Sequence, residues 1–195
     1  MRKPNTVGGG AQTNLNGLKF ERNTSLLADI EKTNRYSVSY GCDNNPKYPK
    51  AKRSDYATRE TCGQILDAAT GKTIAQYFEK DLIYSQFLII NGVNQSKVIS
   101  QKLLPDGCLI IGKTAIIIEK KYQAASGSVD EKLQTCGFKK QQYEKLFNPI
   151  GYDVRYIYLL NNWFNQRRFK DVFAYIEDVG CEYYIGFIPL KTLGL

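Results

Sequence analysis

Leu103 to Gln123 reads LLPDGCLIIGKTAIIIEKKYQ, and how this stretch is read decides the fold. From Gly107 to Thr114 the letters GCLIIGKT spell a phosphate-binding P-loop. That motif needs a strand before its first glycine, a loop whose amides wrap a phosphate, and a helix after its lysine. Here Cys108, Leu109, Ile110 and Ile111 fill the interior, and Ala115 to Ile118 follow the lysine. Both runs favour strand. Gly112-Lys113 is then a hairpin turn, joining strands expected over 98–111 and 114–122. No nucleotide-binding site is expected.

Polar residues end these apolar strands. Pro105-Asp106 opens the hairpin, and Glu119-Lys120-Lys121 closes it, with Glu119 thirteen positions after Asp106. Alternation along a strand puts Glu119, Lys121 and Gln123 on one face, with Ile118 and Lys120 on the other. The hairpin returns Asp106 to the side of Glu119. Two carboxylates and an ammonium on an isoleucine-rich sheet suit a hard cation such as Mg2+, which keeps several of its waters. Such a cation activates water and neutralises charge on a phosphate, leaving Lys121 to orient or help deprotonate that water or to stabilise the phosphorane. A Pro-Asp turn plus charges at the end of an exposed strand is the structural alternative. Against it, core strands avoid such polar endings.

Composition narrows the chemistry further. The 195 residues contain no histidine, which excludes imidazole bases and with them Ser-His-Asp hydrolases and His-metal nucleases. A net charge of +8 favours polyanionic partners such as nucleic acid. No apolar run is long enough for a membrane span, and the polar, glycine-rich start lacks a signal-peptide core. A cytoplasmic protein without a membrane partner is expected. Cys42, Cys62, Cys108, Cys136 and Cys181 are scattered, suggesting neither a zinc site nor a disulfide framework.

Outward from the hairpin, one domain over 1–195 is expected. Residues 1–16 read as a flexible arm and 15–31 as a first helix. Residues 36–61 read as an exposed loop, with Lys47, Lys50, Lys52 and Arg53 among Tyr48 and Tyr56. This loop either tracks a phosphate backbone or is simply solvated. A short helix is expected over 72–81, then an apolar helix end or strand over 83–90. A helix capped near Gly127-Ser128 runs to Phe147 and buries Val129, Leu133, Cys136, Tyr143 and Phe147. Asn148-Pro149 ends it. A strand at 154–160, a helix at 169–178 and a strand at 183–188 follow. Tyr184-Ile185-Gly186 spells half of a GIY-YIG nuclease motif without its partner triplet, and reads as strand. The order gives an α/β domain with a central mixed β-sheet flanked by helices.

The pattern Pro105-Asp106…Glu119-Lys120-Lys121 resembles the PD-(D/E)xK nuclease superfamily, and within it the type II restriction endonucleases. Two further segments carry the likeness: Gly127-Ser-Val-Asp-Glu-Lys-Leu-Gln134 after the second strand, and GGGAQTNLNGLKFE at the start of the first helix. With their surroundings they cover roughly residues 8–23 and 98–147, about a third of the chain. The resemblance implies a restriction endonuclease-like fold and Mg2+-dependent hydrolysis of double-stranded DNA at a specific short sequence, usually by a homodimer. It implies Asp106 and Glu119 as metal ligands, the Lys120 carbonyl as a third, Lys121 as a catalytic residue and Glu21 completing the metal environment. Gln123 holds a water or is a plain strand residue.

DNA contacts are expected from Lys139, Lys140, Gln141 and Gln142, for which a solvated helix face is the alternative. Trp163 to Lys170, WFNQRRFK, offers Asn165, Gln166, Arg167 and Arg168, the side-chain types that read base edges in the major groove. A loop touching only phosphate is the rival. Two further readings stand beside restriction: a nuclease of the same superfamily in repair, recombination or mobile-element processing, and a DNA-binding protein without catalysis.

Overall fold

The computed structural model describes residues 9–41, 61–125 and 129–195. Seven strands form one mixed sheet in chain order: β1 (Tyr36–Tyr40), β2 (Cys62–Asp67), β3 (Thr73–Phe78), β4 (Gly107–Ile111), β5 (Thr114–Lys121), β6 (Asp153–Leu160) and β7 (Glu182–Ile185). The first five strands pair antiparallel, whereas β5–β6 and β6–β7 pair parallel. The β4–β5 hairpin is therefore the hinge between two sheet styles. Its turn is at Gly112, whose φ of 54° suits a residue without Cβ. The P-loop reading fails here because strand stands on both sides of the turn.

Helices flank both faces. On one face Cys108, Ile110, Ala115, Ile117, Tyr156, Tyr158 and Leu160 pack against α4 (Cys136–Phe147), the helical segment around Tyr84–Leu88 and α5 (Lys170–Asp178). On the other, Ile65, Tyr77, Leu109, Ile116, Ile118 and Leu159 pack against α2 (Leu26–Glu31) and the C-terminal residues Leu193 and Leu195. Alternation along β5 divides its isoleucines between these two layers. No helix among the described residues is long and apolar enough to cross a membrane.

Several expectations are corrected. The arm expected over 1–16 gives way at Gly9, where α1 (Gly9–Asn23) begins. The first helix is two helices, because Ser25 caps α2 by accepting the Ala28 N–H. Tyr36–Tyr40 is a strand, not part of a loop. The basic residues 47–53 and Tyr56 lie outside the described residues, as does the Gly127-Ser128 cap. The helix expected over 72–81 is strand β3. Thr, Ile, Tyr and Phe prefer the pleated surface, and β3 has β2 and β4 to pair with on either side. The first hairpin strand begins at Gly107 rather than Val98. The helix expected to run to Phe147 is broken between α3 (Val129–Leu133) and α4. Leu133, Cys136, Tyr143 and Phe147 are buried as expected. Cys108, Cys136 and Cys181 are buried free thiols, whereas Cys62 is disulfide-bonded, with its partner outside the described residues.

Candidate active site

Strand register assembles the site. Phe78 of β3 pairs with Cys108 of β4, and Gly107 of β4 pairs with Ile118 of β5. Extending each ladder past its last pair sets Lys80 across from Asp106, and Asp106 across from Glu119. The Lys80 N–H donates to the Pro105 carbonyl at 2.9 Å, which continues the β3–β4 contact to this row. The row lies at the end of the sheet where the parallel strands β5, β6 and β7 finish. Open α/β sheets commonly place ligands at that end.

Every oxygen of the two carboxylates is engaged. Asp106 Oδ1 accepts from Lys80 Nζ, and Oδ2 accepts the Lys120 backbone N–H at 2.7 Å. Lys121 Nζ lies 3.9 Å from Asp106 Oδ2 and donates to Glu119 Oε2 at 2.7 Å. It also donates to the Lys120 carbonyl at 3.2 Å. From α4, Lys139 Nζ reaches Glu119 Oε1 at 3.4 Å. Glu119 is only 6% exposed, so these charges are paired where water is scarce. Burial works to raise the pKa of Asp106. The charges of Lys121 and Lys80 and the hydrogen bonds from Lys80 and the Lys120 amide outweigh it, holding the carboxyl below its usual range.

The neighbouring residue serves the opposite face. Lys120, 7% exposed, sends its ammonium among the α1 and β3 residues and donates to the Glu21 carbonyl at 2.9 Å. This bond ties the end of α1 to the strand that carries Glu119. The Glu21 carboxyl senses the charges of Asp106, Lys80, Lys120 and Lys121. Burial, reinforced by Asp106, raises its pKa against the opposing lysines. Glu79 lies on the Lys120 side, accepting the Tyr77 hydroxyl at 3.3 Å and the Thr61 N–H at 3.0 Å.

The structure brings together Asp106, Glu119, Lys121, the Lys120 carbonyl and Lys139, whereas Glu21 joins them only through the field of its carboxyl and through its backbone carbonyl, which Lys120 holds from the other face. Among the described residues no three acidic or thiol side chains form a ready-made metal cage. Mg2+ does not require one, since it is usually bound through one or two carboxylates and keeps its remaining waters. Asp106, Glu119 and the Lys120 carbonyl are hard oxygen donors converging on one ammonium, Lys121 Nζ, so the donor set fits the ion.

Other expected residues stand apart. Gln123 turns its amide to the Ala125 carbonyl at 2.6 Å, and its backbone N–H and C=O are both held by the Asn161 side chain. It does not continue the active-site face. Lys140 donates to the Gly180 carbonyl at 3.0 Å and pairs with Glu144, bracing α4 against the start of β7. Gln141 is exposed and Gln142 half-buried. Asn165, Gln166 and Arg167 line an open cleft of about 480 Å³ with Lys170, Phe173 and Tyr183. Arg168 instead lies over the Trp163 ring at 4.4 Å and the Phe169 ring at 4.7 Å, so part of its role is packing.

Lys80, Glu79 and Asn161 escape the sequence reading. A signal for the first two exists. Tyr77-Phe78-Glu79-Lys80 repeats the pattern of Ile117-Ile118-Glu119-Lys120, an apolar strand ending in Glu-Lys. Reading 72–81 as a helix hid it.

The chain matches no family model, no curated protein and no solved structure. The functional reading therefore stands on the residues and their geometry.

Proposed function

We propose that this protein is a Mg2+-dependent type II restriction endonuclease, hydrolysing phosphodiester bonds of double-stranded DNA at a specific short sequence. The observation that carries the proposal is the row of Asp106 and Glu119 at the end of β4–β5, with Lys121 Nζ between the two carboxylates. The PD…EKK pattern, the absence of histidine and the +8 charge agree with it.

Asp106, Glu119 and the Lys120 carbonyl would hold the cation. Bound there, Mg2+ would lower the pKa of a water and offset negative charge gathering on the phosphate. Lys121 has the reach to orient the attacking water or to stabilise the phosphorane, since its ammonium is already within 4 Å of both carboxylates. Glu21 would complete the cation environment from α1. Lys139 enters from α4 and, once released from Glu119, offers a charge to the DNA backbone. Asn165, Gln166 and Arg167 lie in the connection that follows β6, beyond the sheet end that carries the catalytic row. That position suits base recognition, with the fold classed as restriction endonuclease-like and the enzyme acting as a homodimer.

The test is incubation of the protein with plasmid DNA and Mg2+. Discrete fragments with a common end sequence are expected, abolished by chelation and by Glu119→Gln. Smears or structure-dependent nicks would assign the same site to repair, recombination or mobile-element processing. DNA that is bound but uncut at every cation tested would leave a non-catalytic DNA-binding protein.

A further inference from the structure

Lys80 has the most unusual backbone of any residue in the site. Its φ is 50°, and among the described residues only Asn34 shares a positive φ without being glycine. Asparagine enters this region readily, whereas a long side chain does so at a cost in strain. The conformation is pinned by the bond from the Lys80 N–H to the Pro105 carbonyl. Its result is that Nζ sits on Asp106 Oδ1. The charges of Asp106, Glu21 and Glu119 all act on this ammonium. Lys80 thus contacts Asp106 and lies in the field of Glu21 and Glu119, the three carboxylates that the nuclease reading gives to the cation.

We propose that Lys80 competes with the divalent cation for Asp106 and, when displaced, supplies a contact to the scissile phosphate. The inference rests on the nuclease reading. A cation taking Asp106 Oδ1 must break the Lys80 pair, because the oxygen's partners on that side cannot both be cations in contact. The freed ammonium stays tethered through its pinned backbone, within a side-chain length of the phosphate that Asp106 and Glu119 would address. Lys121 and Lys139 face the same exchange at Glu119, each pairing with one of its two oxygens.

Lys80→Asn is the informative variant, since asparagine tolerates the φ of 50° and replaces the ammonium and its long stem by a short neutral amide that cannot reach Asp106 Oδ1. Calorimetric titration of Ca2+ into the full chain is expected to show binding tightened on the order of ten-fold in Lys80→Asn. Lys97→Met, which removes an exposed lysine elsewhere, should leave the affinity unchanged. Duplex DNA binding in Ca2+ should weaken in Lys80→Asn, with the slope of log affinity against log salt reduced by about one. Cation affinity equal to wild type would overturn the competition while leaving the nuclease reading intact. An unchanged DNA affinity and salt slope would overturn the phosphate contact. Failure of both wild type and variant to bind any divalent cation would sink the nuclease reading and this inference with it. Binding by Lys80→Asn alone would support the competition in its strongest form.

Discussion

Asp106 accepts the backbone N–H of Lys120 through Oδ2 at 2.7 Å, so the carboxylate grips β5 itself as well as facing its side chains. The aspartate therefore has a structural duty in addition to its proposed chemical one, and different substitutions should separate the two.

Asp106→Asn keeps an oxygen for the Lys120 amide but loses the charge. Stability should fall, because Lys80 and Lys121 favour the ionised carboxylate, and Mg2+-dependent cleavage should fall by at least about a hundred-fold, within the span of one removed transition-state interaction. Asp106→Ala leaves a largely buried N–H unpaired and should also cost about 1–3 kcal/mol in urea unfolding. Equal stability of the two variants would show that the backbone bond contributes nothing.

Gly107 makes room for Tyr77. A Cβ at position 107 would lie 2.5 Å from Tyr77 Oη and 2.9 Å from its ring, and the ring is fully buried. Gly107→Ala should destabilise the fold by about 1–3 kcal/mol through overpacking. Because Gly107 adjoins Asp106, cleavage should suffer more than stability alone explains. Unfolding curves and single-turnover rates on the same preparation would separate the effects.

Asn161 closes the connection after β5. Its side chain accepts the Gln123 N–H at 3.1 Å and donates to the Gln123 carbonyl at 2.9 Å. Asn161→Ala should cost about 2 kcal/mol for two lost bonds and raise amide exchange in residues 121–125. Asn161→Asp keeps the acceptor only and should fall between them. Exchange rates in this segment identical to wild type would refute the tether.

Glu79 sets a pH dependence. Burial is the main reason its pKa stands above 4.5, against the nearby Lys120 charge and the bonds from Thr61 and Tyr77. The folded state keeps this proton over a window where the unfolded chain has already released it. Stability therefore declines as pH rises from 4.5 through the folded pKa. Glu79→Gln can accept the Thr61 N–H through its one oxygen, turn its NH2 to donate to the Tyr77 oxygen, and cannot ionise. Its stability relative to wild type should increase across that window and then level off, measurable by urea unfolding between about pH 4 and 8. A difference independent of pH would refute the assignment.

Much of the half that carries the candidate site was legible beforehand. Ala115 to Ile118 alternate between two apolar layers, and such a run ending in Glu-Lys-Lys can only be a buried strand with a polar tip. Asp106, Glu119 and Lys121 follow from alternation and a two-residue turn, both local properties. β6 and α5 were likewise readable from composition and period. Residues 72–81 were not, because Thr73 to Phe78 is too short for periodicity to separate helix from strand. Pairing with β2 and β4 decides it.

By itself the sequence determined the hairpin, the absence of imidazole chemistry, and which carboxylates could face one another. Only the tertiary structure decided that Lys80 meets Asp106 from just beyond β3, that Lys139 reaches Glu119 from α4, and that Lys120 ties α1 through Glu21. The physical reason is range. Alternation and turn chemistry act over a few residues, whereas these contacts join positions 20 to 99 residues apart, through a strand register and helix packing set by the whole core.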